Sequence, residues 1–138
     1  MTLRELVPYI HLDGEAAEAI ATYERVLGAQ LLASSRYAEM PGADFPPEVR
    51  ERIMHAALRI GSSTLMVSDT APGMPVLARG GHVQILIDFG DEGSMNEPFA
   101  QLAEGGRVVM PLAETFWNAT FGVLEDRFGV RWLFHCPK

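Results

Sequence analysis

Apolar residues recur along the chain with two periods, and the switches between them mark out its elements. Leu6 to Leu12 alternates as a strand. From Glu15 to Leu27 the apolar positions Ala16, Ala19, Ile20, Tyr23 and Leu27 return every three or four residues, which puts them on one face of a helix. Gly28 suits the left-handed position that ends a helix, and Ala29 to Ala38 alternates weakly as a second strand. Pro41, Gly42, Pro46 and Pro47 break Met40 to Arg52 into a long loop with one helical turn at Glu48 to Arg52. Ile53 to Ile60 and Thr64 to Ser68, separated by Gly61-Ser62-Ser63, read as a hairpin.

After a loop holding Pro72, Gly73 and Pro75 the order starts again. His82 to Phe89 reads as a strand and Met95 to Glu104 as a helix with Phe99 and Leu102 on one face. Gly105-Gly106 stops that helix before Arg107 to Leu112, and two further strands follow, Ala119 to Leu124 and Val130 to Cys136. Each half thus spells strand, helix and three more strands, an internal near-repeat. The pattern predicts a single α+β domain over residues 1–138, made of two βαβββ modules at about 1–70 and 80–138. The two share a curved mixed sheet, with helices outside and a concave face free to enclose a ligand cavity.

Composition removes several classes of function. The 138 residues are 48% apolar and 21% charged, ordinary for one globular domain. A net charge of −7 with 11 scattered basic residues argues against nucleic acid, whose binding rests on clustered Lys and Arg. No stretch approaches the ~20 apolar residues of a membrane span, and Glu5 and Pro8 interrupt any secretory leader. One cysteine, Cys136, cannot form an intramolecular disulfide. These features point to a cytoplasmic protein with neither nucleic-acid nor membrane partners. Arg79-Gly80-Gly81 precedes a strand, where a phosphate-binding glycine loop follows one, and no Gly-x-Ser-x-Gly elbow supports a hydrolase.

Glu114-Thr115-Phe116-Trp117-Asn118, Phe121-Gly122 and the run Glu125-Asp126-Arg127-Phe128-Gly129-Val130-Arg131-Trp132 form one motif near the end of the chain. With Pro8-Tyr9-Ile10 and Tyr23 to Gly28, it resembles the PhnB-like branch of the vicinal oxygen chelate superfamily, which holds glyoxalases, extradiol dioxygenases and bleomycin-resistance proteins. The resemblance implies paired βαβββ modules, a homodimer, and in catalytic members a divalent metal held by His, Glu or Gln at four strand positions. Those positions fall at Pro8, within Met66-Val67-Ser68, at His82, and at or near Leu133. One donor in four does not hold a divalent ion, so no metal cofactor is expected. A displaced site using His82 and His135 is the alternative; alternation sets His11 opposite Pro8 and Ile10, against the helix. A methyltransferase label has been attached to PhnB-like sequences, but this chain is short for that fold and lacks a glycine-rich turn after its first strand.

Alternation through the fifth strand turns His82, Gln84 and Leu86 to the cavity and Val83, Ile85 and Ile87 to the helices. His82 and Gln84 read either as a ligand-contacting pair or as a hydrogen-bonded core pair. Glu114 beside Phe116-Trp117 is a candidate acid or base whose pKa burial would raise; the competing reading is a structural carboxylate that accepts backbone N–H groups. Trp117 and Phe121 are candidate ligand contacts, whereas Phe128 and Trp132 suit the core better. Asp69 reads as a turn-former, with ligand contact as its second reading, and His55 as a solvated residue opening the third strand. Two functions follow. One is a metal-independent small-molecule binding protein; the other is a glyoxalase-, dioxygenase- or lyase-type enzyme with a displaced metal, or with Glu114 and His82 as catalytic acid and base.

Overall fold

The computed structural model describes residues 2–42, 44–71, 73–74 and 82–138. Pro72, Pro75 and the Arg79-Gly80-Gly81 run lie outside them. The chain divides into two compact units, Met1–Leu77 and Ala78–Lys138.

The first unit contains β1 (Tyr9–Leu12), α1 (Ala16–Leu27), β2 (Gln30–Arg36), a short α2 (Pro47–Arg50), β3 (Ile53–Ile60) and β4 (Ser63–Asp69). Its four strands form one mixed sheet in the order β1-β4-β3-β2, with β1 parallel to β4 and the other pairs antiparallel. The ladder of β1 begins later than alternation suggests, because Pro8 accepts the Met66 N–H on its carbonyl at 3.0 Å and has no N–H to return. Ala56, Leu58, Leu65 and Val67 are buried beneath α1, whose Ala16, Ala19, Ile20 and Tyr23 face them. Gly28 ends α1 with φ 67°, the conformation its position predicts.

Asp69, at the end of β4, organises this unit. Its Oδ1 accepts the N–H groups of Gly14 (2.8 Å) and Ala16 (2.9 Å), and its Oδ2 accepts that of Ile53 (3.0 Å). The buried carboxylate therefore fastens the start of α1 and the start of β3 to the sheet. The acceptor role read from the sequence is present, and it serves the helix start as well as a turn.

The second unit repeats the topology. β5 (Ile85–Asp88), α3 (Asn96–Leu102), β6 (Arg107–Glu114), β7 (Ala119–Glu125) and β8 (Arg131–Pro137) give a sheet in the order β5-β8-β7-β6, with β5 parallel to β8. Hydrogen bonding thus groups the strands into two four-stranded sheets, one per unit. Phe99 of α3 meets Phe134 edge-on at 5.2 Å, and Trp132, Leu124 and Leu102 are fully buried. Trp132 donates its indole N–H to Asp126 Oδ2 at 2.9 Å, and Asp126 Oδ1 accepts from Phe128 and Val130. This carboxylate holds the turn into β8 as Asp69 holds the turn into α1.

One strand boundary bears on function. Alternation extends the fifth strand back to His82, but β5 begins at Ile85. Its parallel register pairs Ile85 with Trp132 and β8 starts at Arg131, so His82 and Val83 overhang their partner, and they and Gln84 are exposed.

Candidate functional site

Thr115 closes the hairpin between β6 and β7. Its N–H donates to the Ala119 carbonyl at 2.8 Å and its hydroxyl oxygen accepts the Ala119 N–H at 3.2 Å. Asn118, the only described non-glycine residue with positive φ (62°), completes the reversal, a conformation that Asn tolerates better than most. The turn pushes Phe116 into solvent at 98% exposure and leaves Trp117 half exposed. The Trp117 ring then leans on Phe121 at 5.9 Å, on the sheet face turned away from α3.

On that face His135 is held from both sides. Its Nδ1 lies 2.8 Å from Asp88 Oδ1 across the parallel β5–β8 pair, and its Nε2 lies 3.4 Å from the indole nitrogen of Trp117. Leu86, Leu133, Val123 and Met110 share the face by register, and Leu86 and Met110 are about half exposed. The result is an apolar floor with an aromatic edge and one oriented imidazole.

Several candidates change place. Leu86 faces away from α3 as alternation requires, but His82 and Gln84 stand in the exposed approach to β5, not in the strand. Glu114 is exposed at the end of β6, where it accepts from Lys138 Nζ; this hydrogen bond and the charge of Lys138 hold its carboxyl below the ordinary value. Burial is the expected perturbation and the opposite shift is found, because Glu114 is exposed and bonded to Lys138. No hydrogen bond among the described residues joins Glu114 to His82. Trp117 and Phe121 do come together, while Phe128 and Trp132 are core residues. Asp69 is buried, with both carboxylate oxygens on backbone N–H groups. Burial pushes the Cys136 thiol up, so it is poorly suited to nucleophilic work.

The contribution of Glu114 is testable by pH. A carboxylate whose folded pKa is depressed stabilises above its unfolded value and loses that contribution as pH falls through the folded one. Because the pair is exposed, Glu114→Gln is expected to lower Tm by only about one or two degrees near neutrality, and less in acid, without changing ligand affinity. Melting curves from neutral to acid pH with parallel binding titrations check this.

Sequence reasoning missed Asp88, whose signal was available: it continues the Leu86 parity and pairs with His135. In the first unit it also placed His11 on the wrong face. Ile10 pairs with Val67 and Leu12 with Asp69 on the buried side, so Tyr9 and His11 occupy the other face. There the Tyr9 and His11 rings stack at 4.5 Å, Tyr9 Oη lies 2.8 Å from His55 Nδ1, and His11 Nδ1 lies 2.9 Å from Ser68 Oγ. His55 is therefore a bonded residue of this face.

The positions that the resemblance assigns to metal ligands can be tested against these donors. Pro8 and Leu133 have no donor atom, the Ser68 hydroxyl is engaged with His11, and His82 is exposed ahead of β5. His135, the displaced alternative, has Nδ1 engaged with Asp88 and Nε2 loosely covered by Trp117, and its intended co-ligand His82 stands exposed ahead of β5. Among the described residues no three His, Cys, Asp or Glu side chains group as metal ligands would. This donor set does not fit a divalent ion held by the four strand positions.

Comparison with known proteins places the chain. The Glyoxalase/Bleomycin resistance protein/Dioxygenase superfamily profile matches residues 8–134. Protein YjdN of Escherichia coli (strain K12) is 34% identical, over 96% of this chain and 95% of its own. The crystal structure of protein PA1353 from Pseudomonas aeruginosa superimposes with a TM-score of 0.86 at 38% identity, covering 98% of each chain. The PhnB protein of Bacillus cereus, described as a putative 3-demethylubiquinone-9 3-methyltransferase, shares the fold at a TM-score of 0.79 and 21% identity, over 96% of this chain and 99% of that one. The repeated βαβββ topology and these matches agree along nearly the whole length, and the chain belongs to the glyoxalase/bleomycin resistance/dioxygenase superfamily.

Proposed function

We propose that the protein binds a small organic molecule on the face of its second sheet turned away from α3, without the divalent metal that the superfamily's enzymes use. The observation that carries this reading is the Asp88–His135–Trp117 arrangement over an apolar floor. Mostly apolar walls with a few placed polar groups are what small ligands meet in proteins. The donor-poor residues at Pro8 and Leu133 support the metal-free half of the proposal. The fold shared with the Bacillus cereus protein does not bring methyl transfer with it, since fold alone does not carry activity.

A thermal-shift screen of aromatic fragments, run with and without zinc, nickel and manganese, tests the proposal. A fragment at about a hundredfold excess over its Kd is expected to stabilise the protein by roughly 2–3 kcal/mol. The effect is expected to vanish in Trp117→Ala, and the ions alone to leave Tm unchanged. Stoichiometric metal in the purified protein together with metal-dependent stabilisation would establish the enzyme reading instead. The superfamily commonly forms oligomers, and by that resemblance a homodimer is proposed here, which sedimentation equilibrium checks. None of the described helices is long and apolar enough to cross a membrane.

A further inference from the structure

The hydrogen-bond pattern around His135 fixes which ring nitrogen carries the proton. An indole N–H can only donate, so His135 Nε2, which faces Trp117 Nε1, must be the acceptor. A neutral imidazole then carries its hydrogen on Nδ1, where it donates to Asp88 Oδ1 at 2.8 Å. The two bonds are unequal. The Asp88 contact is short and charge-assisted, whereas 3.4 Å exceeds the usual N–H···N or N–H···O range. Asp88 therefore sets the tautomer, and Trp117 covers the Nε2 lone pair only loosely. The covering ring sits on an exposed hairpin tip, so it can yield without disturbing the core.

We infer that the molecule bound on this face is a planar phenol or enol whose hydroxyl donates to His135 Nε2 in place of the Trp117 indole. This rests on the reading that the face of the second sheet turned away from α3 binds a small organic molecule, and it names the chemical class. A planar body matches the Trp117 and Phe121 edge and the Leu133 and Leu86 floor. A hydroxyl approaches an acceptor to about 2.7–2.8 Å, closer than the indole stands, and an acidic hydroxyl makes the stronger bond. A carboxylate ligand presents only lone pairs to the Nε2 lone pair and gains nothing there.

Calorimetric titration with 2-naphthol, 2-methoxynaphthalene and protonated 2-naphthylmethylamine tests the inference. Wild-type protein is expected to prefer the naphthol over its methyl ether by about tenfold, since a ligand lacking the donor leaves the Nε2 acceptor without its hydrogen bond. His135→Phe is expected to bring that ratio below about twofold while the ether still binds. Asp88→Leu, which removes the acceptor that holds the ring proton on Nδ1, is expected to lower the ratio as well and serves if His135→Phe does not fold. Trp117→Phe keeps an aromatic edge and removes the competing donor, so the ratio is expected to rise a few-fold. Equal wild-type affinity for naphthol and ether would overturn the donor rule and leave the binding face standing. Ammonium binding as tight as the naphthol would overturn the phenol class, and binding of none of the three would remove both this inference and the reading beneath it.

Discussion

Replacing Asp69 with alanine is expected to destabilise the protein by about 3–5 kcal/mol, although the residue touches no ligand surface. Its two oxygens accept three backbone N–H groups from two distant segments, Gly14 and Ala16 at the start of α1 and Ile53 at the start of β3. Ala16 and Ile53 are buried, so their N–H groups have no water to turn to once the carboxylate is gone, and each orphaned donor costs about 1–3 kcal/mol. Asp69→Asn separates charge from geometry. One oxygen still serves two donors, but the amide turns a third N–H against another donor, so the expected loss is about half as large. Urea unfolding gives the magnitudes, and amide exchange gives the location: Ala16 and Ile53 are expected to lose protection first. A loss below about 1 kcal/mol in the alanine variant would show that the start of α1 is held mainly by packing.

Most of the fold was legible because the hydrophobic periods are set by local burial, and each βαβββ unit buries one side of its sheet against one helix. The helix ending at Gly28 and the hairpin from Ile53 could be read from neighbours in sequence alone. What escaped depended on a partner strand. Alternation carried the fifth strand to His82 because it knows nothing of where β8 begins, and β8 begins too late to pair that residue. His11 was turned to the wrong face because parity gives two faces without saying which one the helix covers; the register of Ile10 with Val67 decides it. The β6 strand runs past Pro111 to Glu114, made possible by irregular pairing between Met110 and Ala113 on a sheet edge. That extension carries Glu114 out to Lys138 and away from the aromatic tip. The site was half legible: Trp117, Phe121 and the parity of His135 came from the motif and alternation, whereas Asp88 becomes visible only when β5 is laid beside β8.

Gly106→Ala is expected to be at least as damaging as the loss of Asp69, at about 3–5 kcal/mol, and to damage the second unit. Sequence reasoning treats Gly105-Gly106 as one helix stop, and by that logic Gly105, with φ 76°, is the glycine whose substitution matters. The structure reverses the order. A Cβ on Gly105 would lie 3.1 Å from Arg127 Cβ and 3.3 Å from its Cδ, a tight contact that a shift of a few tenths of an ångström relieves, added to a backbone strain of about 1–2 kcal/mol. A Cβ on Gly106 would lie 2.0 Å from the Glu125 carbonyl oxygen and 2.7 Å from the Asp126 carbonyl carbon, and neither can swing aside. Relief requires the β6 and β7 backbones to part where Arg107 pairs with Glu125, one residue from the Asp126 carboxylate that holds Phe128, Val130 and Trp132. The displacement therefore reaches the turn into β8 and, along that strand, His135. Thermal melting of the two alanine variants checks the ranking. Trp132 fluorescence checks the route, because a shifted Asp126 is expected to release the buried indole N–H in Gly106→Ala and leave it bonded in Gly105→Ala. Equal losses in the two variants, with unchanged Trp132 emission, would mean that the strands absorb the added methyl group without moving the turn.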